Sequence, residues 1–163
     1  AQSNLRAAAG SAGIDPDRLV FAERTELSLH LARHRLADLF LDTFVCNAHT
    51  TASDALWAGV PVITLAGKQF AARVAASLLS AIGMSDLVTH SEDAYFALAR
   101  RLSDEPENLS AIREKLVEGK HSAPLFDTAR FVRHLEQAYV PVHAKTCLGQ
   151  APSDFYVVSP VEA

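Results

Sequence analysis

The chain has 163 residues, of which 49% are hydrophobic and 21% are charged, as in a globular protein with one core and unlike disordered or collagen-like chains. The net charge of −4 excludes the basic surface typical of nucleic-acid-binding domains. The longest apolar stretch, residues 70–79, is interrupted by Arg73 and is too short to span a bilayer, and the first residues lack a signal-peptide pattern. We therefore expect a cytoplasmic protein that uses neither a nucleic-acid nor a membrane partner.

The first half of the chain alternates between short apolar runs and helical patterns. Runs of strand length occupy residues 19–22, 36–41, 60–65 and 87–89. Helices are predicted over residues 2–12, 26–34, 51–58 and 68–82, with a turn around Pro16 and a C-terminal cap at Gly83. Alternating strands and helices with short connections predict an α/β fold, a Rossmann-like parallel sheet with flanking helices.

After residue 90 the pattern is helical. Predicted helices begin near Ser91, within the segment DEPEN (residues 104–108), and at Asp127 or Thr128. The end of the chain, which includes Pro152 and Pro160, shows little periodicity. We divide the chain into a lobe, residues 1–145, and a C-terminal tail, residues 146–163. A doubly wound sheet normally begins with a strand and this chain begins with a helix, so we expect the lobe to lack an upstream strand and the chain to be part of a longer protein.

The segment CNAHTTASDALWAGVP, residues 46–61, places three hydrogen-bonding side chains, His49, Thr50 and Thr51, between an apolar run and a helix. In open α/β sheets, ligands bind in the loops that lead from strand ends into helices. A helix N-terminus offers unpaired N–H groups and a positive dipole end to phosphate, and these side chains add donors. Asp54, about one turn further on, suits a ribose hydroxyl because a carboxylate repels phosphate. Together these features predict a site for a nucleotide diphosphate.

Simpler interpretations explain the same residues. Thr50 or Thr51 as a plain N-cap fits the pattern equally well, and Asp54 alone is commonly a solvated carboxylate near a helix start. Trp57 is expected to pack in the core beneath its helix, and Cys46 to be a small buried hydrophobic residue.

The histidines and cysteines bear on possible metal or disulfide chemistry. His30 and His34 lie four residues apart on one helical face, but no acidic or cysteine ligand accompanies them, so no metal site is predicted. Cys46 and Cys147 lie far apart and are expected to be free thiols. Arg73 is expected either to pair with a carboxylate or to be solvated.

A longer segment, residues 36–79, reads LADLFLDTFVCNAHTTASDALWAGVPVITLAGKQFAARVAASLL and resembles the signature region of the O-linked N-acetylglucosamine transferase family. That family includes animal nucleocytoplasmic enzymes, plant SPINDLY-like proteins and bacterial homologues. The CNAHTTASDALWAG block and the RVAAS helix carry the resemblance, which extends over about residues 14–140. It implies the C-terminal half of a GT-B glycosyltransferase, a fold with two Rossmann-like halves, usually preceded by tetratricopeptide repeats.

The resemblance implies roles for the residues of the helix start. His49, Thr50 and Thr51 match the positions that bind the diphosphate of the donor, and Asp54 matches the position that binds its ribose. Ala48 departs from the family pattern because it replaces the usual glycine.

A uracil-binding site is implied further upstream. His30 matches the histidine that packs against uracil, and Arg33 matches an arginine that lines the same pocket. Thr25 falls where the family uses backbone groups to read the base. Leu27 departs from some animal members, which have a lysine there.

The function implied is that of an inverting glycosyltransferase that transfers N-acetylglucosamine from UDP-GlcNAc to Ser or Thr of proteins. The chain would be the donor-nucleotide-binding portion, and its partners would be the protein acceptor and the N-terminal half of the same protein. The helix terminus and the two threonines would stabilise the charge on the leaving UDP, so no metal is required. The family's catalytic-side histidine and its diphosphate-binding lysine lie upstream, and no catalytic residue is assigned here. Two alternatives are a related protein glucosyltransferase and a non-catalytic nucleotide-sugar-binding scaffold.

Overall fold

The computed structural model describes residues 1–157, which form two compact units that divide after Arg33. The first unit begins with helix α1, Gln2–Ser11, in an alanine-rich segment that favours helix. A short 3₁₀ turn, Pro16–Arg18, follows and is held against α1 because Arg6 Nη1 donates a 2.9 Å hydrogen bond to the Pro16 carbonyl. Helix α2 then spans Leu27–His34, as predicted.

Residues 19–22 do not form the predicted strand. All strands of the described residues lie between Phe40 and Thr89 and pair only with one another. Since a strand requires a neighbour for its backbone N–H and C=O groups, an apolar run of strand length without such a neighbour stays irregular.

The second unit contains a parallel sheet in the order β1, β2, β3, which confirms the predicted α/β class. Its strands are β1 (Phe40–Leu41), β2 (Val62–Leu65) and β3 (Val88–Thr89). Parallel neighbours need crossover connections, and these contain α3 (Thr50–Trp57) and α4 (Val74–Ala81). The carboxyl ends of the parallel strands share one edge of the sheet. The loops 42–49 and 66–73 therefore leave β1 and β2 at that same edge.

The connection before α4 differs from the continuous helix predicted over residues 68–82. The Gly67 N–H donates to the Ala72 carbonyl at 2.7 Å and closes a loop that ends in a short 3₁₀ turn, Phe70–Ala72. Helix α4 starts only after that loop. Gly83 follows it with a φ of 73°, which agrees with the predicted C-terminal cap.

Three further helices complete the unit: α5 (Glu92–Asp104), α6 (Pro106–Gly119) and α7 (Thr128–Cys147). The predicted N-caps are present, since Ser91 Oγ accepts from the Ala94 N–H and an Asp127 carboxylate oxygen accepts from the Arg130 N–H. Helix α7 includes the first two residues, 146 and 147, of the predicted tail. Residues 150–157 have no regular structure, and Pro160 lies outside the described residues.

The core lies between the sheet and the helices of the second unit. Its largest fully buried apolar side chains are Leu56, Ile63, Leu79, Leu102 and Leu116. No helix in residues 1–157 combines the length and hydropathy needed to cross a membrane.

Trp57 does not pack in this core as predicted, because its side chain is 44% exposed. Ala52, Ala55 and Leu56 occupy the buried face of α3, and the next residue points about 100° away from Leu56. The Trp57 ring instead lies under Lys120 Nζ, 5.3 Å from the ring centroid, and makes an edge contact with Phe126.

Candidate nucleotide-binding site

The loop after β1 is organised by Asp42, whose side chain is only 3% exposed. One carboxylate oxygen accepts hydrogen bonds from the N–H of Thr43 at 2.8 Å and of Ala48 at 2.6 Å. The other accepts from Thr64 Oγ1 on β2 at 2.6 Å. A buried carboxylate needs such donors, and here they fasten both ends of the loop 43–48 to the central strand.

Tyr95 on α5 also contacts the start of this loop. Its hydroxyl donates a 2.9 Å hydrogen bond to the Asp42 carbonyl, and its ring makes an edge contact with Phe44 at a centroid distance of 5.0 Å. Burial, and secondarily the negative charge of Asp42, raise the pKa of Tyr95 above its ordinary value. Tyr95 therefore remains a neutral hydrogen-bond donor at physiological pH.

Asn47 joins this loop to the loop after β2. Its N–H donates to the Ala71 carbonyl at 2.8 Å, and its Nδ2 donates to the Thr43 carbonyl at 3.0 Å. The Asn47 Oδ1 atom is buried and has no partner within residues 1–157. Gly67 closes the second loop so tightly that a Cβ atom there would lie 2.6 Å from the Ala72 Cβ. The two loops thus form one connected surface at the carboxyl edge of the sheet.

The loop also stores backbone strain. Val45 has a φ of 65°, in the left-handed region that β-branched residues rarely adopt, and its side chain is 79% exposed. Strain of this kind persists where the surrounding structure enforces it, often at ligand sites. The hydrogen bonds of Asp42 and Asn47 on either side of Val45 provide that enforcement.

Helix α3 begins at the end of this loop with its N-terminal donors unused. The N-cap position is His49, with a φ of −100° and a ψ of −93°, and its side chain makes no capping hydrogen bond. The N–H groups of Thr50, Thr51 and Ala52 donate to no acceptor in the described part of the chain, whereas the Ser53 N–H donates to the His49 carbonyl at 3.1 Å. Three adjacent amides at the start of α3 therefore remain available to a ligand.

Thr50 and Thr51 are the first two residues of α3, as predicted, and both side chains are exposed. Neither hydroxyl makes a hydrogen bond within residues 1–157, and neither residue occupies the N-cap position. The interpretation of either threonine as a plain N-cap is therefore wrong. The two hydroxyls and the three amides form a cluster of donors with no acceptor in the described chain.

His49 is held beside this cluster by the second loop. Its Nε2 lies 3.4 Å from the Ala71 carbonyl oxygen, and its ring meets the edge of Phe70 at a centroid distance of 6.2 Å. A carbonyl oxygen only accepts, so this contact places a proton on Nε2. The Nδ1 atom is then the nitrogen left for a ligand, and it donates only when the imidazole is protonated.

Asp54 lies one turn after Thr50, on the same face of α3, and is half-buried. The first turn of α3 contains no acidic residue. An anion at the helix start is therefore separated from the Asp54 carboxylate by a helical turn, a placement compatible with the predicted ribose contact.

The predicted uracil-binding residues lie together in the first unit. Thr25, His30 and Arg33 line one open groove of about 540 Å³, together with Leu27. Arg33 donates from Nη1 to the Glu23 carbonyl at 2.7 Å and from Nη2 to His30 Nδ1 at 2.8 Å. Since a guanidinium only donates, His30 Nδ1 must accept, which fixes the tautomer of the ring.

The thiols and carboxylates elsewhere suggest no other chemistry. Both cysteines are free. Cys46 was predicted to be buried, but it is exposed, next to the exposed Val45 in the same loop. Asp15 and Asp17 have a spacing that can suit a divalent cation, but Asp15 caps the Asp17 N–H and Asp17 pairs with Arg6. Among residues 1–157, no three His, Cys, Asp or Glu side chains are grouped as metal ligands would be.

Sequence reasoning missed several residues that build the site, among them Asp42, Asn47 and Phe70. The available signal for Asp42 was an acidic residue immediately after an apolar run of strand length. The contacts of Asn47 and Phe70 are made between two loops that lie more than 20 residues apart, and no local pattern indicates them.

Comparison with known proteins decides the family. The model of glycosyl transferase family 41 matches residues 1–135 of the chain. The chain belongs to glycosyl transferase family 41. Within this family it is 39% identical over 158 residues to an Arabidopsis thaliana protein named as a probable UDP-N-acetylglucosamine–peptide N-acetylglucosaminyltransferase, SEC. It is 38% identical over 124 residues to the enzyme of that activity from Caenorhabditis elegans.

A solved structure of an O-GlcNAc transferase mutant from Thermobaculum terrenum has the same fold as this family 41 chain. It superimposes with a TM-score of 0.84 at 32% identity and covers 92% of the chain. The chain spans only part of its relatives' length: it matches 29% of that structure, 16% of the Arabidopsis protein and 11% of the nematode protein. The alignment with the Arabidopsis protein covers 96% of this chain, and the alignment with the nematode protein covers 76% of it.

Proposed function

We propose that the complete protein transfers N-acetylglucosamine from UDP-GlcNAc to serine or threonine side chains of proteins, and that this chain binds the nucleotide end of the donor. The observation that carries this proposal is the start of α3, where three amides without an acceptor in the described chain and the exposed side chains of Thr50 and Thr51 lie at the carboxyl edge of a parallel sheet. The activities named for the plant, nematode and bacterial relatives support the choice of sugar and acceptor.

The diphosphate would be held by His49, Thr50 and Thr51. In the transfer step, the acceptor hydroxyl oxygen forms a bond to the anomeric carbon as the bond from that carbon to the β-phosphate oxygen breaks, which inverts the configuration. The proton of the acceptor hydroxyl passes to a base supplied by the rest of the protein. The electron pair of the broken bond leaves with UDP, and the α3 dipole and its donors stabilise the resulting charge. These donors would stabilise the charge of the diphosphate by hydrogen bonds, so we propose that the reaction needs no metal ion.

The remaining contacts of the donor would come from Asp54 and from the groove in the first unit. The half-buried Asp54 carboxylate would accept from a ribose hydroxyl. His30, whose ring is oriented by Arg33, would pack on uracil, and the backbone at Thr25 would read the edge of the base.

Other parts of the protein would complete the enzyme. Because the chain corresponds to a small share of each relative, we propose that the N-terminal half of the catalytic region and tetratricopeptide repeats lie in the rest of the protein. The catalytic base would be supplied from there. We also propose a cytoplasmic site of action, as the resemblance to a family with nucleocytoplasmic members implies.

Transfer by the complete protein tests this function. The protein is incubated with UDP-GlcNAc or UDP-glucose and a peptide with a single serine, with a matched alanine peptide as the control, and the products are identified by mass spectrometry. We expect an N-acetylhexosamine on the serine peptide alone, and the same rate with a chelator of divalent cations. Preferred transfer of glucose would assign the protein to a glucosyltransferase instead, and UDP binding without transfer of either sugar would indicate a scaffold.

A further inference from the structure

An exposed groove beside the candidate nucleotide site is lined by none of the residues assigned to the donor. It is lined by Phe70, Arg73, Val74, Ser77 and Leu78 and has a volume of about 500 Å³. We propose that this groove binds the acceptor polypeptide and favours acceptors with an acidic residue near the modified serine or threonine. This inference rests on the proposed function, since it names the acceptor class of the same reaction.

The groove adjoins the residues assigned to the diphosphate. Phe70 forms one wall of the groove, and the edge of the same ring contacts the imidazole of His49. The neighbouring Ala71 carbonyl accepts from the Asn47 N–H at 2.8 Å, which joins the groove's loop to the loop that leads into α3. A chain lying in the groove therefore passes directly beside the site of the leaving diphosphate.

The charge of this region is positive although the whole chain carries a net charge of −4. Between Asp54 and Asp86 the sequence contains no acidic residue, and its charged residues are Lys68 and Arg73. Both side chains are exposed, and neither makes an ion pair within residues 1–157. Of the two, Arg73 lines the groove, and an uncompensated cation there attracts a carboxylate and disfavours a basic partner.

The walls of the groove suit a polypeptide better than a second nucleotide or a sugar phosphate. Phe70 is 76% exposed, and Val74 and Leu78, one helical turn apart on α4, add an aliphatic strip. Ser77 and Arg73 are the polar groups among these lining residues. One cation on a mainly apolar surface matches an extended peptide with one acidic and one apolar side chain.

The test compares acceptor peptides that differ only in charge. The complete enzyme is assayed with a serine peptide that carries glutamate near the serine and with the same peptide carrying glutamine. Three variants of the groove are made: Arg73→Gln, Arg73→Glu and the charge-conserving Arg73→Lys. The control variant is Arg133→Gln, since Arg133 is exposed on α7 and is not a lining residue of the groove.

We expect the wild type to prefer the glutamate peptide, and Arg73→Gln to reduce kcat/KM for that peptide by roughly threefold to fivefold, the upper part of the range for an exposed ion pair. Arg73→Glu should reduce it further, Arg73→Lys should restore most of it, and the glutamine peptide should be nearly unaffected. The UDP dissociation constant, measured by titration, should be unchanged in all variants.

Equal losses with both peptides, or no loss with either, would overturn the inference and leave the proposed function standing. A lowered melting temperature in Arg73→Gln and Arg73→Lys alike, with unchanged peptide preference, would also overturn it, because it would show that another part of the same protein covers the groove. Absence of transfer by the wild type would refute the proposed function itself, so the two failures are distinguishable.

Discussion

Replacing Thr50 and Thr51 together with valine removes two hydroxyls and keeps the shape of both side chains. If each hydroxyl donates to a charged diphosphate oxygen, its loss should cost about 1.5–3 kcal/mol of binding free energy. The two residues are adjacent and share one ligand, so the losses need not add, but even the smaller single value exceeds the 1.4 kcal/mol that corresponds to a tenfold change. We therefore expect the affinity of the complete enzyme for UDP to fall at least tenfold.

The stability of the fold should respond differently. Neither hydroxyl makes a hydrogen bond within the described chain and neither threonine is the N-cap, so the free energy of unfolding should change by no more than about 0.5 kcal/mol. Valine and threonine also have similar helix propensities. Calorimetric titration with UDP, together with a thermal melt, measures both quantities on the same samples.

Thr128 offers a matched control for this experiment. It is also the exposed first residue of a helix, α7, which lies outside the candidate site. Thr128→Val should leave both UDP affinity and melting temperature unchanged. Unaltered UDP binding by the double variant, or a loss of affinity equal to that of Thr128→Val, would refute the assignment of the threonine pair to the diphosphate.

Three other predictions concern the residues that shape the site. Asp42→Asn should lower the free energy of unfolding by roughly 1.5–3 kcal/mol and weaken UDP binding, because the amide cannot accept from all three donors. Urea unfolding and UDP titration measure the two effects. Full UDP affinity in this variant would contradict a role of Asp42 in shaping the loop. Tyr95→Phe should cost about 1–3 kcal/mol, since it leaves a buried carbonyl unpaired. Because the pKa of Tyr95 is raised in the folded state, this tyrosine ionises first in the unfolded chain, and wild-type stability should fall as the pH rises above about 10. The phenylalanine variant should show a smaller fall in thermal melts at alkaline pH. Gly67→Ala should cost about 1–3 kcal/mol by forcing the added methyl against Ala72, whereas Gly119→Ala, where no atom lies within 4 Å, should not lower the melting temperature comparably.

Local patterns were sufficient for most helices and strands of this chain. The β-branched run that contains β2 became the buried central strand, and Gly83, Ser91 and Asp127 mark helix ends where their chemistry predicts them. These features depend on residues close in sequence, so a single chain shows them. The start of α3 was predicted for the same reason.

The errors arise where a specific contact, and not the hydrophobic period, decides the structure. Residues 19–22 have the apolar character of a strand but pair with no strand within residues 1–157. Trp57 is exposed because Leu56 already occupies the core-facing position. The predicted long helix before Gly83 is interrupted because Gly67 bonds across its loop to Ala72. Each of these outcomes depends on a contact that no local period contains.

The candidate site divides in the same way. The residues expected to touch a ligand, such as His49 and Thr50, were named from a short motif and from the family resemblance. The residues that hold them, Asp42, Asn47 and Phe70, act through hydrogen bonds and ring contacts between loops. Their importance becomes visible only when the parallel strands bring the two loops to the same edge of the sheet.

The most direct test of the central claim is a crystal structure of the complete protein with UDP bound. We expect the diphosphate oxygens to lie at about 2.7–3.2 Å from the amide nitrogens or hydroxyls at Thr50 and Thr51, with uracil against the ring of His30. A diphosphate bound elsewhere, with the first turn of α3 still facing solvent, would contradict the account.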